Sequence, residues 1–235
     1  FLRTNVHVES LSNLPYSSVL VPLSVFFAAP SGKEVRVSNR QRQELLSWFW
    51  RACFSRRFSA GVIRNLNRDI QEALKLKKGD PSNLANISST IEEGFFSEQA
   101  FNVGTVHTKA FVLMLAQSQP ISFVSGAPIG LAKVLQNYNR NEFHHLYPRA
   151  YLKARGRSSS VINSLANFVF MSSSDNKILG GVAPSVYRSR IDASQLPKIL
   201  EKSHCPSELF DDDYDKFIEL RAERLVDFAK KLMEK

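Results

Sequence analysis

An α+β protein, mainly helical, is what this sequence predicts. Apolar residues recur at helical spacing through the first 120 or so residues. Short apolar runs broken by glycine and serine replace that spacing from 121 to 190, and it returns from 208 to 233. The expected organisation is a helical domain over 1–120, then a domain over 121–235 with a small strand–loop–strand–helix motif and carboxy-terminal helices. At 235 residues the chain is long enough for one large domain or two small ones with a real core.

The elements follow in order. Pro15 stands where a first-turn proline would, ahead of the apolar run from Val19 to Ala29. Ser38 is suited to cap the next helix, which carries Leu45, Leu46, Phe49, Trp50 and Cys53 on one face. Ser59 is expected to cap a third, with Val62, Ile63, Leu66, Ile70 and Leu74, stopped by Gly79-Asp-Pro81. Gly94 breaks the spacing, and Val106 to Leu115 reads as a buried helix closed by Pro120. Trp48, Trp50 and Phe54 could stack on bases, but at helical spacing they read as core. In the last helix Tyr214, Phe217, Ile218, Arg221, Leu225, Phe228 and Leu232 share a face. Asp211 to Asp213 sit at its amino end, where carboxylates favour the helix dipole.

Composition bounds the setting. The two cysteines, Cys53 and Cys205, form no CxxC pair, so a reduced, cytoplasmic protein without disulfides is expected. The run Val19–Ala29 is too short to span a bilayer, contains Pro22 and lacks a basic leader, so no membrane partner is expected. The net charge is +9, unevenly spread: residues 141–190 hold seven basic and two acidic side chains, residues 191–235 eight and eleven. That places positive charge around the segment richest in candidate chemistry, as a site for a polyanion requires.

That segment is Glu142-Phe-His-His-Leu-Tyr-Pro148, then Asn167-Phe-Val-Phe-Met171, then Ser174-Asp-Asn-Lys177, with the two asparagines nine residues apart. It resembles the ββα-metal (HNH) nuclease motif. Hydrolysing a phosphodiester needs a base for water and a cation to absorb phosphate charge. The resemblance implies His145 as general base, helped by an imidazole that ordinarily titrates near neutrality. It implies His144 as a ligand reaching the metal from the same edge as the base, Asn176 on the following helix as the second ligand, and Asn167 as the residue that pins the loop holding the base. Imidazole, carboxamide, phosphate and water oxygens suit Mg²⁺ or Mn²⁺ better than zinc. Lys177 is placed to touch the scissile phosphate, and Arg149, Lys153, Arg155 and Arg157 to grip flanking phosphates of DNA. On the plainer alternative, the histidines alternate across an ordinary strand and the asparagines make turns. His107 reads as structural, His204-Cys205 as a helix-ending loop, and His7 is uninformative.

The pattern His144-His-Leu-Tyr-Pro148, Asn163-Ser-Leu-Ala-Asn167-Phe-Val-Phe, Asp175-Asn-Lys177 is similar to the carboxy-terminal HNH domain of GmrSD-type modification-dependent restriction enzymes. Leu45-Leu-Ser-Trp-Phe-Trp-Arg51, Arg57-Phe-Ser-Ala60 and Asp213-Tyr-Asp-Lys-Phe217 with Arg221 extend the likeness over most of the chain. The resemblance implies a DNA endonuclease effector of an anti-phage system, partnered by an upstream ParB-like nucleotide-hydrolysing domain. No GxxxxGK[ST] loop occurs. The start at Phe1 rather than Met is what a piece of a longer protein would show. His144 departs from the acidic residue found there in many HNH proteins, which weakens charge compensation of a metal. Two rival expectations are a catalytically weak DNA-binding module of the same fold, and a helical protein-interaction domain with incidental histidines.

Overall fold

A computed structural model of the chain describes residues 1–30, 33–138 and 140–234. Its helices, in chain order, are α1 (Leu2–Val6), α2 (Leu20–Phe27), α3 (Asn39–Phe54), α4 (Val62–Lys78), α5 (Gly94–Ser97), α6 (Val106–Ala116) and α7 (Leu131–Asn137). Strand β1 (Phe143–His145) is followed by α8 (Arg149–Ala154), α9 (Ser159–Ile162) and strand β2 (Phe168–Phe170). Then come α10 (Ser173–Leu179), α11 (Pro184–Tyr187), α12 (Leu196–Lys202) and α13 (Tyr214–Met233). Mainly helical with a two-stranded sheet, the chain has the α+β character expected of it.

Two compact units are present. A ribbon unit takes residues 1–14 and 92–227, and a helical unit takes 15–91 and 228–235. The expected 1–120 and 121–235 division cuts the chain differently. Residues 92–120 join the ribbon unit because the segment 99–101 is stitched to 163–165. Leu165 N donates to Gln99 O (2.9 Å), Phe101 N donates to Asn163 O (2.7 Å), and the Phe101 ring stacks on Phe168 at 4.1 Å.

In the helical unit Ser38 caps α3 through a capping box. Gln41 N donates to Ser38 Oγ, and Ser38 N donates to Gln41 Oε1 at 2.9 Å. Ser59 does not cap α4. Its hydroxyl bonds Tyr16 at 2.6 Å, and α4 instead starts from Gly61 at φ 59°. Gly79, at φ 85°, ends α4: Gly79 N donates to Leu76 O and Asp80 N to Lys75 O, a Schellman pattern that needs a left-handed residue. Pro15 precedes a 3₁₀ turn (Ser17–Val19) rather than opening a helix. Trp48, Phe49, Trp50 and Phe54 are buried, as the core reading expected, and Trp50 stacks on Phe54. Among them lies the fully buried carboxylate of Asp69, which accepts from Trp48 Nε1 (3.0 Å) and from Arg57 Nε and Nη2 (2.7 and 2.6 Å).

In the ribbon unit β1 and β2 pair antiparallel, with Phe143 opposite Phe170, His144 opposite Val169 and His145 opposite Phe168. One face of the ribbon carries Phe143, Phe168 and Phe170 against Phe101. Val169, Leu146 and Tyr147 belong to a core with Leu152, Leu209 and Phe217. Gly94 is the first residue of α5. Arg221, expected on the shared face of α13, is fully buried. Its guanidinium donates to Ala166 O (2.6 Å), Phe168 O (2.8 Å) and Ser203 O (3.0 Å), and burial lowers its pKa. Both cysteines are buried and unbridged. Among the described residues no helix is long and apolar enough to cross a membrane.

Candidate functional site

β1 is joined to β2 through the short helices α8 and α9, and α10 follows β2, so the connection expected as a loop is partly helical. A cleft of about 350 Å³ opens between these elements, lined by His144, His145, Pro148, Arg149, Asn176, Lys177 and the Gly180-Gly181 turn. The histidines come from the end of β1, Arg149 from the first position of α8, and Asn176 with Lys177 from the middle of α10. Ser172 sets the start of α10, its hydroxyl accepting from Asp175 N at 3.1 Å. Arg190 Nη1 caps the other end, donating to Leu179 O at 2.7 Å. A Cβ at Gly180 would stand 3.1 Å from that nitrogen, and Gly180 has φ 73°, so the turn at the cleft wall requires glycine.

Consecutive strand residues face opposite ways, and the two imidazoles accordingly have different neighbours. His145 lies over its cross-strand partner Phe168, ring centroids 4.2 Å apart, and its Nε2 is 3.0 Å from Asn163 Oδ1. The orientation of that carboxamide is fixed independently, because Asn163 Nδ2 donates to Ser159 O at 2.9 Å. An amide oxygen only accepts, so in the neutral ring His145 Nε2 carries the proton and Nδ1 the lone pair. His144 repeats the arrangement with Nε2 at 3.0 Å from the carbonyl oxygen of Asn141, which in the neutral ring again puts the lone pair on Nδ1. Imidazoles of this tautomer can accept a proton or ligate a cation.

Asn167 is fully buried and makes three bonds. Oδ1 accepts from Tyr147 N (2.9 Å), while Nδ2 donates to Tyr147 O (3.2 Å) and Ile162 O (2.9 Å). It therefore ties the chain just beyond β1 to the end of α9. Tyr187 Oη adds a bond to Leu146 O at 2.8 Å, and its ionisation is pushed far up by burial.

The structure brings His144, His145, Asn176, Lys177 and Arg149 to one cleft, with Asn167 behind it. Among the expected phosphate-gripping residues only Arg149 lines the cleft. Lys153 is exposed further along α8. Arg155 lies over the Tyr151 ring at 3.6 Å, and Arg157 pairs with Asp215 on α13. The positive field expected here is also offset. Counted over its whole extent, the ribbon unit holds sixteen basic and sixteen acidic residues. Asn163 is the residue that sequence reasoning missed as a participant. It sits 18 positions after His145, in an irregular segment where no spacing rule links the two.

Among the described residues no carboxylate lines the cleft, and no three His, Cys, Asp or Glu side chains gather as a metal site. His107 packs edge-on against Phe95, and His204 Nε2 meets Ser118 Oγ at 2.5 Å.

No family model matches the chain, and no solved structure matches it. It is similar to the uncharacterized protein MJ0686 of Methanocaldococcus jannaschii, at 23% identity over 177 residues, 74% of this chain and 28% of that protein. The chain thus matches less than a third of that relative's length.

Proposed function

We propose that the ribbon unit is a metal-dependent HNH endonuclease that hydrolyses DNA phosphodiester bonds. The observation that carries the reading is the convergence of His144, His145, Asn176 and Lys177 on one cleft from β1 and α10. His145 Nδ1 takes the proton of the attacking water, and the imidazolium that forms keeps its Nε2–H on Asn163 Oδ1. Asn167 holds the backbone at Tyr147 so that the end of β1 does not drift from the substrate. Lys177 and Arg149 attract the scissile phosphate.

His144 and Asn176 are the residues that would hold a divalent cation. One imidazole nitrogen and one carboxamide oxygen form a neutral pair of donors. They fit an ion such as Mg²⁺ or Mn²⁺ that keeps several waters and draws its negative ligands from substrate phosphate. When bound, it supplies Lewis-acid stabilisation of the phosphate charge. Setting this activity in an anti-phage, modification-dependent restriction system, under an upstream ParB-like nucleotide-hydrolysing domain, follows from the family resemblance alone.

A catalytically weak DNA-binding module of the same fold is favoured by one observation, the lack among the described residues of any carboxylate lining the cleft to offset a cation's charge. Supercoiled plasmid incubated with the protein and Mg²⁺ or Mn²⁺, beside EDTA and His145→Ala controls, separates the two. The nuclease reading expects metal-dependent nicking that falls by about 10²–10⁴ in the variant, the usual contribution of a general base. Nicking that survives in His145→Ala would remove the base assignment. DNA binding with no nicking in either protein would favour the binding module.

A further inference from the structure

The chain's net charge of +9 lies wholly in one unit. The helical unit holds fifteen basic and six acidic residues, which leaves the ribbon unit balanced at sixteen of each. A surplus of nine within 85 residues calls for an explanation outside the fold of that unit, because self-repulsion opposes compactness.

Helix α4 organises part of the surplus. Arg64, Arg68, Gln71, Lys75 and Lys78 follow one another at intervals of four and three, so they lie along a single face. The opposite face buries Asp69, Glu72, Ala73 and Leu76. Arg64 and Lys78 are 14 residues apart, which on a helix is about 21 Å. Measured along the duplex axis that is about six base-pair steps at 3.4 Å each. Arg40 extends the stripe at its far end, where its Nη2 donates to Gly79 O at 3.0 Å.

Internal pairing accounts for some of these charges. Arg68 donates to Asn83 O (2.9 Å) and Asn86 O (2.8 Å) and reaches Asp69, and Lys75 bonds Glu72 at 2.7 Å with half its side chain exposed. The helix dipole explains Lys75, Lys77 and Lys78 in the last turn. It does not explain Arg64 in the first, where a cation is unfavourable. Asn67 and Gln71, exposed on or beside the stripe, add amide donors of the kind that bond phosphate oxygens.

We infer that this face of α4 is a docking surface for the phosphate backbone of double-stranded DNA. The helical unit is then the electrostatic holdfast of the protein, and the surface makes no use of the ribbon unit's cleft. The assignment stands whether or not that cleft cuts DNA.

The test is fluorescence anisotropy of a labelled DNA duplex titrated with the whole chain between about 50 and 200 mM salt. Wild type is compared with the triple variant Arg64→Gln, Lys75→Gln, Lys78→Gln. A control triple, Lys198→Gln, Lys202→Gln, Lys216→Gln, removes the same charge from the ribbon unit. Each lost phosphate contact reduces the slope of log K against log salt by about 0.9, so the stripe variant should lose about two to three units of slope. Its affinity should drop at least about tenfold at the lowest salt, while the control stays within about twofold. Charge-keeping replacements (Arg64→Lys, Lys75→Arg, Lys78→Arg) should retain the wild-type slope, which separates lost charge from lost folding. The assignment is overturned if the stripe variant keeps the wild-type slope or if the control loses as much. Capture of wild type by phosphatidylserine vesicles at salt that already releases the duplex would also overturn it.

Discussion

The two units put their fully buried charged side chains, Asp69 and Arg221, to different uses. In the helical unit the fully buried carboxylate of Asp69 serves other side chains, the Trp48 indole and the guanidinium of Arg57, while Ser47 and Glu72 bond the main chain at Met233 and Asn83. In the ribbon unit the backbone around β2 is irregular and short of partners. There the buried groups serve the main chain: Asn167 bonds Tyr147 and Ile162, and Arg221 bonds Ala166, Phe168 and Ser203. A helix closes its own hydrogen bonds, whereas a three-residue strand pair with a long connection cannot. Irregular backbone is therefore where a side-chain amide or guanidinium becomes structural, and it is also where the candidate chemistry sits.

The largest expected stability effect tests the helical side of that contrast. Asp69→Ala strands the buried Arg57 guanidinium and the Trp48 indole, and the loss of one member of a buried ion pair costs about 3–5 kcal/mol. Both tryptophans of the chain, Trp48 and Trp50, lie in the helical unit, so tryptophan fluorescence during urea unfolding follows that unit selectively. A midpoint unchanged from wild type would mean that Asp69 organises nothing.

Asn167→Ala should cost somewhat less, about 3 kcal/mol, since it leaves one N–H and two carbonyls of the main chain unpaired. The damage should appear in hydrogen exchange of the amides at 146–147 and 162, with the tryptophan-detected transition little changed. Exchange confined to the substituted residue would break the comparison.

A further effect is expected from alkali. In the ribbon unit burial raises Tyr138, Tyr147 and Tyr187 well above the ordinary 10.0 and brings Tyr214 to about 12. The helical unit has only Tyr16, raised chiefly by burial. Unfolded tyrosines ionise near pH 10 while the folded ones hold their protons. The unfolded state therefore binds fewer protons above that pH, and stability falls as pH rises. The ribbon unit should lose more stability than the helical unit between pH 10 and 12, as tyrosinate absorbance and tryptophan fluorescence would report separately. Coincident loss by both probes would count against the distinction.

Much of the helical pattern was legible in local chemistry. Ser38 and Gln41 form the capping box that a serine before an apolar periodic run announces, and Gly79 stops α4 because only its conformation allows the closing bonds. Ser59 had the same local credentials but bonds Tyr16, 43 residues away, and α4 begins two residues later than it would cap. The short apolar runs also predicted a strand, loop, strand and short helix within 121–190, and the HNH resemblance grouped His144, His145 and Asn176. Spacing could not find Asn163, nor the diversion of Arg155 and Arg157 to Tyr151 and Asp215, because those contacts join residues with no periodic relation.

Sequence by itself determined the α+β class and the total charge, since each depends on residue type and short-range pattern. Tertiary structure alone decided how that charge divides, by folding residues 15–91 with the end of α13 into one unit and leaving the other neutral. It also decided that Nε2 is the nitrogen of each histidine that meets an acceptor oxygen, because that oxygen is delivered by the fold.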